Sequence, residues 1–203
     1  MQQAAATRGH GILENLLSRL RTRKAHQFIT AKHKSGSILD VGCGAHPFHL
    51  INSGFKEKHG IDQIRWSNEK ELVREFDVKL YTYDVEEENH LPFADDSFDV
   101  VTMLAVYEHI RAEVLDVLLT EIYRVLKSES GRLVITTPSK YAEPVLEVFA
   151  RFGIVSKVEI DEHQPLQRPK QVRDTLIRAG FAPENVRVGT FEALMNIYAV
   201  ADK

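Results

Sequence analysis

The sequence predicts an α/β domain with a mostly parallel sheet, and two stretches carry that prediction. Residues 37–47 read SILDVGCGAHP, in which a short apolar run leads directly into Gly42 and Gly44. An apolar run that ends in glycines is typical of a buried parallel strand entering a tight turn. Residues 100–105 are nearly all apolar, as a central parallel strand requires. Amphipathic helices are predicted between such strands, for example at 113–127, which is the alternation of an α/β fold.

Length and composition narrow the classes of function. With 203 residues, 43% hydrophobic and 27% charged, the chain is long enough for one domain with a buried core. A single cysteine excludes an internal disulfide framework, and the histidines show no ligand spacing, so we expect no metal site. The net charge of -3 gives no general attraction to nucleic acid. No stretch is apolar enough for a membrane span or a signal core, so we expect a cytoplasmic protein.

The turn after the first predicted strand is the candidate ligand site. Glycine lets a backbone approach a ligand closely, and open α/β sheets bind ligands at the carboxyl ends of their strands. A P-loop is excluded because no Gly-Lys-Ser/Thr follows the glycines. The dinucleotide fingerprint lacks its last glycine, which disfavours an NAD-dependent reductase. The pattern that remains is D-x-G-x-G, formed by Asp40, Gly42 and Gly44.

This pattern resembles motif I of the class I S-adenosylmethionine-dependent methyltransferases, usually D/E-x-G-x-G-x-G, with His46 at the third glycine. Residues 91–101, LPFADDSFDVV, resemble the family's L-P-F-x-D-x-S-F-D-V-V. Residues 121–138, EIYRVLKSESGRLVITTP, are similar to its E-x-x-R-V-L-K-P-G-G-x-L-x-I-x-x-P. The resemblance covers residues 36–140 strongly and 165–203 loosely.

The resemblance implies a fold and a cofactor. The fold is a Rossmann-like, doubly wound sheet of seven strands in the order 3-2-1-4-5-7-6, with the last strand antiparallel and helices on both faces. The cofactor is S-adenosyl-L-methionine, which leaves as S-adenosyl-L-homocysteine. We divide the chain into an N-terminal helical cap, residues 1–35, and a methyltransferase domain, residues 36–203, which together form one globular unit.

Residue roles follow partly from the resemblance and partly from spacing. The resemblance implies that the glycine turn faces the amino-acid end of the cofactor, that Asp84 accepts from the adenine amino group and that the Val85 amide meets a ring nitrogen. Asp62 stands twenty residues after Gly42, at a predicted strand tip where a carboxylate can hold both ribose hydroxyls. A solvated loop acid is the alternative for Asp62. The full predicted cofactor set is Asp40, Gly42, Cys43, Gly44, Asp62, Asp84, Val85, Leu104 and Ala105.

Methyl transfer from a sulfonium requires an acceptor held in line with the methyl group. A hydroxyl acceptor also needs a base. His109, which follows the fourth strand, and His163 are the candidate catalytic residues because histidine titrates near neutral pH. Tyr107 and Glu108 are weaker candidates. The alternatives are that His109 shapes the cofactor pocket and that His163 is an ordinary loop residue.

The remaining segments suggest the acceptor class. Apolar residues at helical spacing predict one helix from Ile12 to about Ile29 and another over 141–152. Seven Lys or Arg residues and one acid lie between Arg8 and Lys34, so the first helix is basic. Such a helix can lie on an anionic membrane, but we expect it to pack on the domain and help close the active site. A cover of roughly 25 residues, 139–163, suits a small-molecule or a lipid- or sugar-linked acceptor and offers no basic groove for nucleic acid. The alternative is a non-catalytic relative that binds the cofactor or a partner protein. The sequence leaves the oligomeric state open.

Overall fold

The computed structural model describes residues 12–140 and 166–203. The strands in these ranges are β1 Ser37–Val41, β2 Glu57–Asp62, β3 Val78–Thr82, β4 Val100–Leu104, β5 Arg132–Pro138, β6 Val186–Phe191 and β7 Asn196–Asp202. The helices are α1 Ile12–His26, α2 Ala31–Lys34, α3 Phe48–Asn52, α4 Glu69–Phe76, α5 Ala112–Val125 and α6 Pro169–Arg178. In the same ranges, 3-10 helices span Tyr107–His109 and Pro183–Asn185.

The seven strands form one sheet in the order β3-β2-β1-β4-β5-β7-β6. Strands β1 to β5 pair in parallel, whereas β7 runs antiparallel to both β5 and β6. The predicted fold class, a Rossmann-like doubly wound sheet with this order, is therefore confirmed.

Burial along each strand agrees with its place in the sheet. All five residues of the central strand β1 are buried, including polar Ser37 and Asp40, because helices cover both faces of the sheet there. The edge strand β3 instead alternates between buried Val78 and Leu80 and exposed Lys79 and Tyr81, as a strand covered on one face does.

Two apolar clusters lie on opposite faces of the sheet. Leu39 and Val41 of β1 belong to the larger cluster, which α5 and α6 cover. Ile38, one residue from Leu39, belongs to the smaller cluster, together with Leu50 of α3 and Leu72 of α4. Because successive strand side chains point to opposite faces, this division places helices on both sides of the sheet.

The N-terminal helical region differs from the prediction of one continuous helix from Ile12 to about Ile29. Helix α1 ends at His26, and α2 begins after Thr30, whose side chain accepts from the backbone of His33. Threonine is a favoured N-cap because its oxygen satisfies an unpaired helical N–H. Between the two helices the Phe28 carbonyl accepts a hydrogen bond of 2.6 Å from Arg132 Nη1, which a continuous helix would prevent.

Helix α1 packs against α3 and the ends of β4 and β5. Thr22 and Ala25 are buried at this interface, and Lys24 Nζ lies 4.4 Å from the ring centroid of Tyr198 in β7. No helix in residues 12–140 and 166–203 has both the length and the apolar character to cross a bilayer. The helix predicted over 141–152 lies outside the described residues.

Candidate active site

The glycine turn after β1 has the backbone geometry that the sequence predicts. Gly42 and Gly44 have φ angles of +70° and +75°, in the region that glycine adopts without strain. A Cβ added to Gly42 would lie 2.3 Å from Val106 Cγ2, whereas one added to Gly44 would meet nothing within 4 Å. Gly42 is therefore required by packing and conformation together, while Gly44 faces open space.

Asp62 lies beside this turn, at the end of β2. Its Oδ2 accepts a 2.8 Å hydrogen bond from the Gly44 amide, and its Oδ1 accepts one of 3.2 Å from Ile64. A carboxylate has about four acceptor positions, so both oxygens can still accept from ligand hydroxyls. Asp62 thus holds the turn in place in addition to being available to a ligand, a structural role that sequence reasoning missed.

Trp66 is a second residue of this region that sequence reasoning missed. Its Nε1 donates a 3.0 Å hydrogen bond to the Gly44 carbonyl. The signal that was overlooked is that the only tryptophan of the chain follows Asp62 by four residues. Both polar groups of the Gly44 backbone are therefore fixed by side chains, one at the end of β2 and one in the connection that follows it.

Asp40 lies in β1 beneath the turn and is 4% exposed. Burial raises the pKa of its carboxyl to about 7, a 2.6 Å bond from Thr102 Oγ1 opposes that rise, and the charge of Asp62 adds to it. The Cys43 thiol is also buried, and its pKa is raised well above the ordinary value. Burial is the main cause, and the charges of Asp40 and Asp62 add to it. A thiol in this state is protonated at neutral pH and is not an activated nucleophile.

Asp84 and Val85 begin the connection after β3. The Asp84 carboxylate accepts a 2.9 Å hydrogen bond from the Glu86 amide. The backbone carbonyl of Asp84 accepts a 3.0 Å hydrogen bond from the Glu88 amide. Glu86 in turn bonds the side chain of Arg111, at 2.6 Å from Nε. The loop is thereby fastened to the start of α5, and Asp84 is held at the carboxyl edge of the sheet.

The end of β4 completes this edge. Ala105 has a φ of +59°, and its amide donates a 2.8 Å bond to the Thr136 carbonyl. A non-glycine residue in this conformation is uncommon and is often found at functional sites. No local pattern in the sequence predicts this strained turn, which brings Val106 over Gly42.

The 3-10 helix that follows contains three of the residues considered for catalysis. Tyr107 is buried and its hydroxyl hydrogen-bonds Thr175 of α6. Glu108 is buried and accepts a 3.1 Å bond from Thr137 Oγ1. His109 is only partly buried, so it is the member of this group nearest to solvent. The other predicted base, His163, lies outside the described residues.

A cavity of about 70 Å³ lies where α1 meets the glycine turn. The predicted cofactor residues that line it are Asp40, Gly42, Cys43 and Leu104, and α1 contributes Ser18, Arg21 and Thr22. Gly44 and Asp62 adjoin this group through their hydrogen bond, whereas Asp84 and Val85 do not line the cavity. The sequence did not indicate which α1 residues would meet the turn.

Comparisons with known proteins agree with this architecture. The family model described as "Methyltransferase domain" matches residues 12–186. An uncharacterized protein of Methanocaldococcus jannaschii is 30% identical over 120 residues, which is 59% of this chain and 48% of that protein. The chain therefore spans about half the length of this relative.

The solved structures that are similar in fold include two methyltransferases. A SAM-dependent methyltransferase from Archaeoglobus fulgidus is 21% identical with a TM-score of 0.67, over 91% of this chain and 94% of that one. Phosphoethanolamine N-methyltransferase 2 from Haemonchus contortus, in complex with S-adenosyl-L-methionine, is 17% identical with a TM-score of 0.64. The match covers 91% of this chain and 52% of that one. The resemblance read from the sequence motifs is confirmed. Because the family model covers most of the chain, this protein belongs to the methyltransferase domain family.

Proposed function

We propose that this protein transfers the methyl group of S-adenosyl-L-methionine to a small-molecule or a lipid- or sugar-linked acceptor. The observation that carries the proposal is the bond between Asp62 and the Gly44 amide. It holds an acidic side chain with spare acceptor capacity next to an open glycine backbone. A ribose and an amino-acid group joined in one molecule need such a pair of neighbouring sites.

The other strand ends supply the remaining contacts in this proposal. Asp62 accepts from the ribose hydroxyls, and Asp84 with the Val85 amide recognises the adenine, which offers a donor beside an acceptor. The turn formed by Gly42, Cys43 and Gly44 takes the amino-acid end, with Asp40 below it. Leu104 and Ala105, at the end of β4, would complete the proposed cofactor contacts.

When bound, the cofactor supplies an electrophilic methyl group on a sulfonium whose leaving group needs no proton. The protein holds the acceptor atom in line with that methyl group, and such positioning contributes several kcal/mol to catalysis. If the acceptor is a hydroxyl, His109 removes its proton, as its position after β4 and its partial exposure favour. His163 is retained as a second candidate base on its sequence alone.

The acceptor class rests on charge and on what the cofactor framework leaves over. The net charge of -3 does not favour a polynucleotide. Helix α1, part of the proposed cap of residues 1–35, lies beside the turn of the proposed domain, residues 36–203. The structural relative that acts on phosphoethanolamine has a small polar acceptor, which supports the same class here.

Calorimetry with S-adenosyl-L-methionine and with NADH tests the cofactor. We expect binding of the first and none of the second, and the reverse result would favour a reductase. Incubation of the protein with methyl-labelled cofactor and fractionated cell metabolites then tests turnover. Label transferred to a small molecule supports the proposal, whereas tight cofactor binding without transfer to any fraction favours the non-catalytic alternative.

A further inference from the structure

The buried polar side-chain atoms that have no hydrogen-bond partner are concentrated at the interface of α1. Within residues 12–140 and 166–203 they belong to Thr22 and His26 of α1, His49 of α3 and Thr136 of β5, and α3 and β5 both pack against α1. Buried polar groups are nearly always paired, because leaving one unpaired carries the cost of its desolvation. The docked position of α1 is therefore less favourable than that of a helix whose interface is apolar or fully paired.

His26 and His49 face each other across the interface between α1 and α3. Their ring centroids are 5.3 Å apart, and His49 is 4% exposed. His26 Nε2 and both ring nitrogens of His49 have no hydrogen-bond partner among the described residues. A protonated histidine has an N–H donor at each ring nitrogen and a net charge, so burial without an acceptor or an anion is far more costly for it than for the neutral ring.

The charges around the two rings oppose their protonation. Burial first, and then the charges of His26 and Lys34, lower the pKa of His49 to about 3. Burial and Lys34 also lower the pKa of His26. Residues 15–39 contain no Asp or Glu, and β4 contributes no titratable group. The other titratable groups on the surrounding elements are Arg21, Asp40, Cys43 and His46, which line the adjoining cavity, and Arg132 of β5, which is bound to Asp202. Asp40 is the one acid that lines this cavity, and it accepts from Thr102.

We propose that α1 is released from the domain when His26 and His49 take up protons. A proton on either ring creates a positive charge that no described carboxylate pairs, next to the second ring and to Lys34. Release of α1 returns both rings to water, where the charged form is solvated. Because α1 forms one wall of the cavity at the glycine turn, its release also opens that cavity to solvent.

The direction and the size of the effect follow from proton linkage. His49 in the docked state has a pKa of about 3, whereas a histidine in water has one of about 6.5. The released state therefore binds more protons, so docking is strongest above about pH 6.5 and weakens as the pH falls toward 3. Between pH 8 and pH 5, His49 alone should raise the ratio of released to docked helix about 30-fold. His26 acts in the same direction, since its pKa is also lowered.

Hydrogen exchange of the α1 amides in the free protein tests the proposal. The protection of residues 18–26, corrected for the intrinsic exchange rate at each pH and compared with that of α5, measures how often α1 is released. From pH 8 to pH 5 it should fall about 30-fold more in the wild type than in H49L, which removes the titrating ring at similar volume. Asp40 and His33 are common to both proteins, so their contributions cancel. H46Q removes an exposed histidine beside the same turn and should behave like the wild type. An equal loss of protection in the wild type and H49L would overturn the proposal.

A second variant tests the same idea without altering a buried ring. K34E replaces the ammonium group that acts on both histidines with a carboxylate, which favours the protonated rings. The loss of α1 protection between pH 8 and pH 5 should then be at least about threefold smaller than in the wild type. K32E makes the same charge change at an exposed position of α2 and should leave the loss unaltered. A loss as large in K34E as in the wild type would contradict the proposal. Both measurements are made without ligand, so neither result depends on the identity of the methyl donor.

Discussion

The Asp62 carboxylate and the Gly44 amide are joined by a 2.8 Å hydrogen bond. This bond connects the tip of β2 to the turn after β1, two segments that come from neighbouring parallel strands. A hydrogen bond to a charged group contributes about 1.5–3 kcal/mol, so this bond helps to hold the shape of the turn. The carboxylate has further acceptor positions, which are available to a bound ribose.

Replacement of Asp62 by alanine should lower the affinity for S-adenosyl-L-methionine at least about tenfold, because it removes charged hydrogen bonds of roughly 1.5–3 kcal/mol. The affinity is measured by calorimetry. The control is Glu75→Gln, which removes one negative charge from the exposed face of α4 and should leave the affinity unchanged. An unaltered affinity in the Asp62 variant would remove this residue from the cofactor site.

The two glycines of the turn should respond differently to alanine. Gly44→Ala should lower the free energy of unfolding by about 1–2 kcal/mol, which is the strain of an L-residue at positive φ. It should also lower the affinity for the cofactor. Gly42→Ala should lower it by roughly 1–3 kcal/mol more, because its Cβ also overlaps Val106. Denaturant unfolding of both variants measures the difference.

The double variant Gly42→Ala/Val106→Ala is the matched control for that comparison. Removal of the Val106 methyl groups removes the overlap but not the backbone strain. The additional loss in the Gly42 variant should therefore be partly recovered in the double variant. Equal unfolding free energies for the Gly42 and Gly44 single variants would show that packing against Val106 does not matter.

Asp40→Asn should change the pH dependence of stability. A carboxyl whose folded-state pKa is about 7 stabilises the protein below its unfolded pKa and loses that contribution as pH rises toward 7. Asparagine has no such loss and still accepts from Thr102. The free energy of unfolding of the Asp40→Asn variant, relative to that of the wild type, should rise by roughly 2–3 kcal/mol between pH 5 and pH 8.

Thermal unfolding of both proteins at the two pH values measures this change. The other titrating groups, including buried His49, are common to the two proteins, so their contributions cancel in the difference. A stability difference that is the same at pH 5 and pH 8 would show that Asp40 does not titrate in this range.

If the acceptor is a hydroxyl, His109→Ala should lower kcat by about 10²–10⁴-fold, the usual contribution of a general base. The acidic limb of the pH–rate profile should disappear with it. His90→Ala is the control, since His90 is exposed and pairs with Glu121 on the surface. Normal turnover with an unchanged pH profile in the His109 variant would leave positioning as the mechanism.

Deletion of residues 1–30 should lower the melting temperature and the cofactor affinity together. The truncated chain loses the buried Thr22, Ala25 and Ile29 and the carbonyl that Arg132 binds. Thermal unfolding and calorimetry measure the two effects. If both stay unchanged while binding to anionic vesicles is lost, the helix acts on a membrane instead.

The elements that were predicted correctly are those whose pattern is local. The strands β1 and β4 are continuous apolar runs, and the glycine turn is defined by residues that follow one another in the sequence. The position of Asp62 at the tip of β2 could be predicted because the distance from a first to a second parallel strand varies little. Each of these signals lies within a short window of sequence.

The features that were missed depend on contacts between distant segments. The Trp66 bond to Gly44 depends on how the β2–α4 connection folds back over the turn. The end of α1 at His26 is set partly by Arg132, which binds the Phe28 carbonyl and is 104 residues from Phe28 in the sequence. Periodicity along one segment contains no information about such partners.

The position of Arg132 also has a consequence for the order in which the chain folds during synthesis. Its guanidinium binds the Phe28 carbonyl and, at 2.5 Å, the carboxylate of Asp202. Strand β7, which contains Asp202, lies between β5 and β6 although it is translated after both. Strands β1 to β4 can pair as they leave the ribosome, whereas the guanidinium cannot be fully bound until β7 is inserted. Docking of α1, which is translated before all seven strands, is therefore expected to be among the last steps of folding.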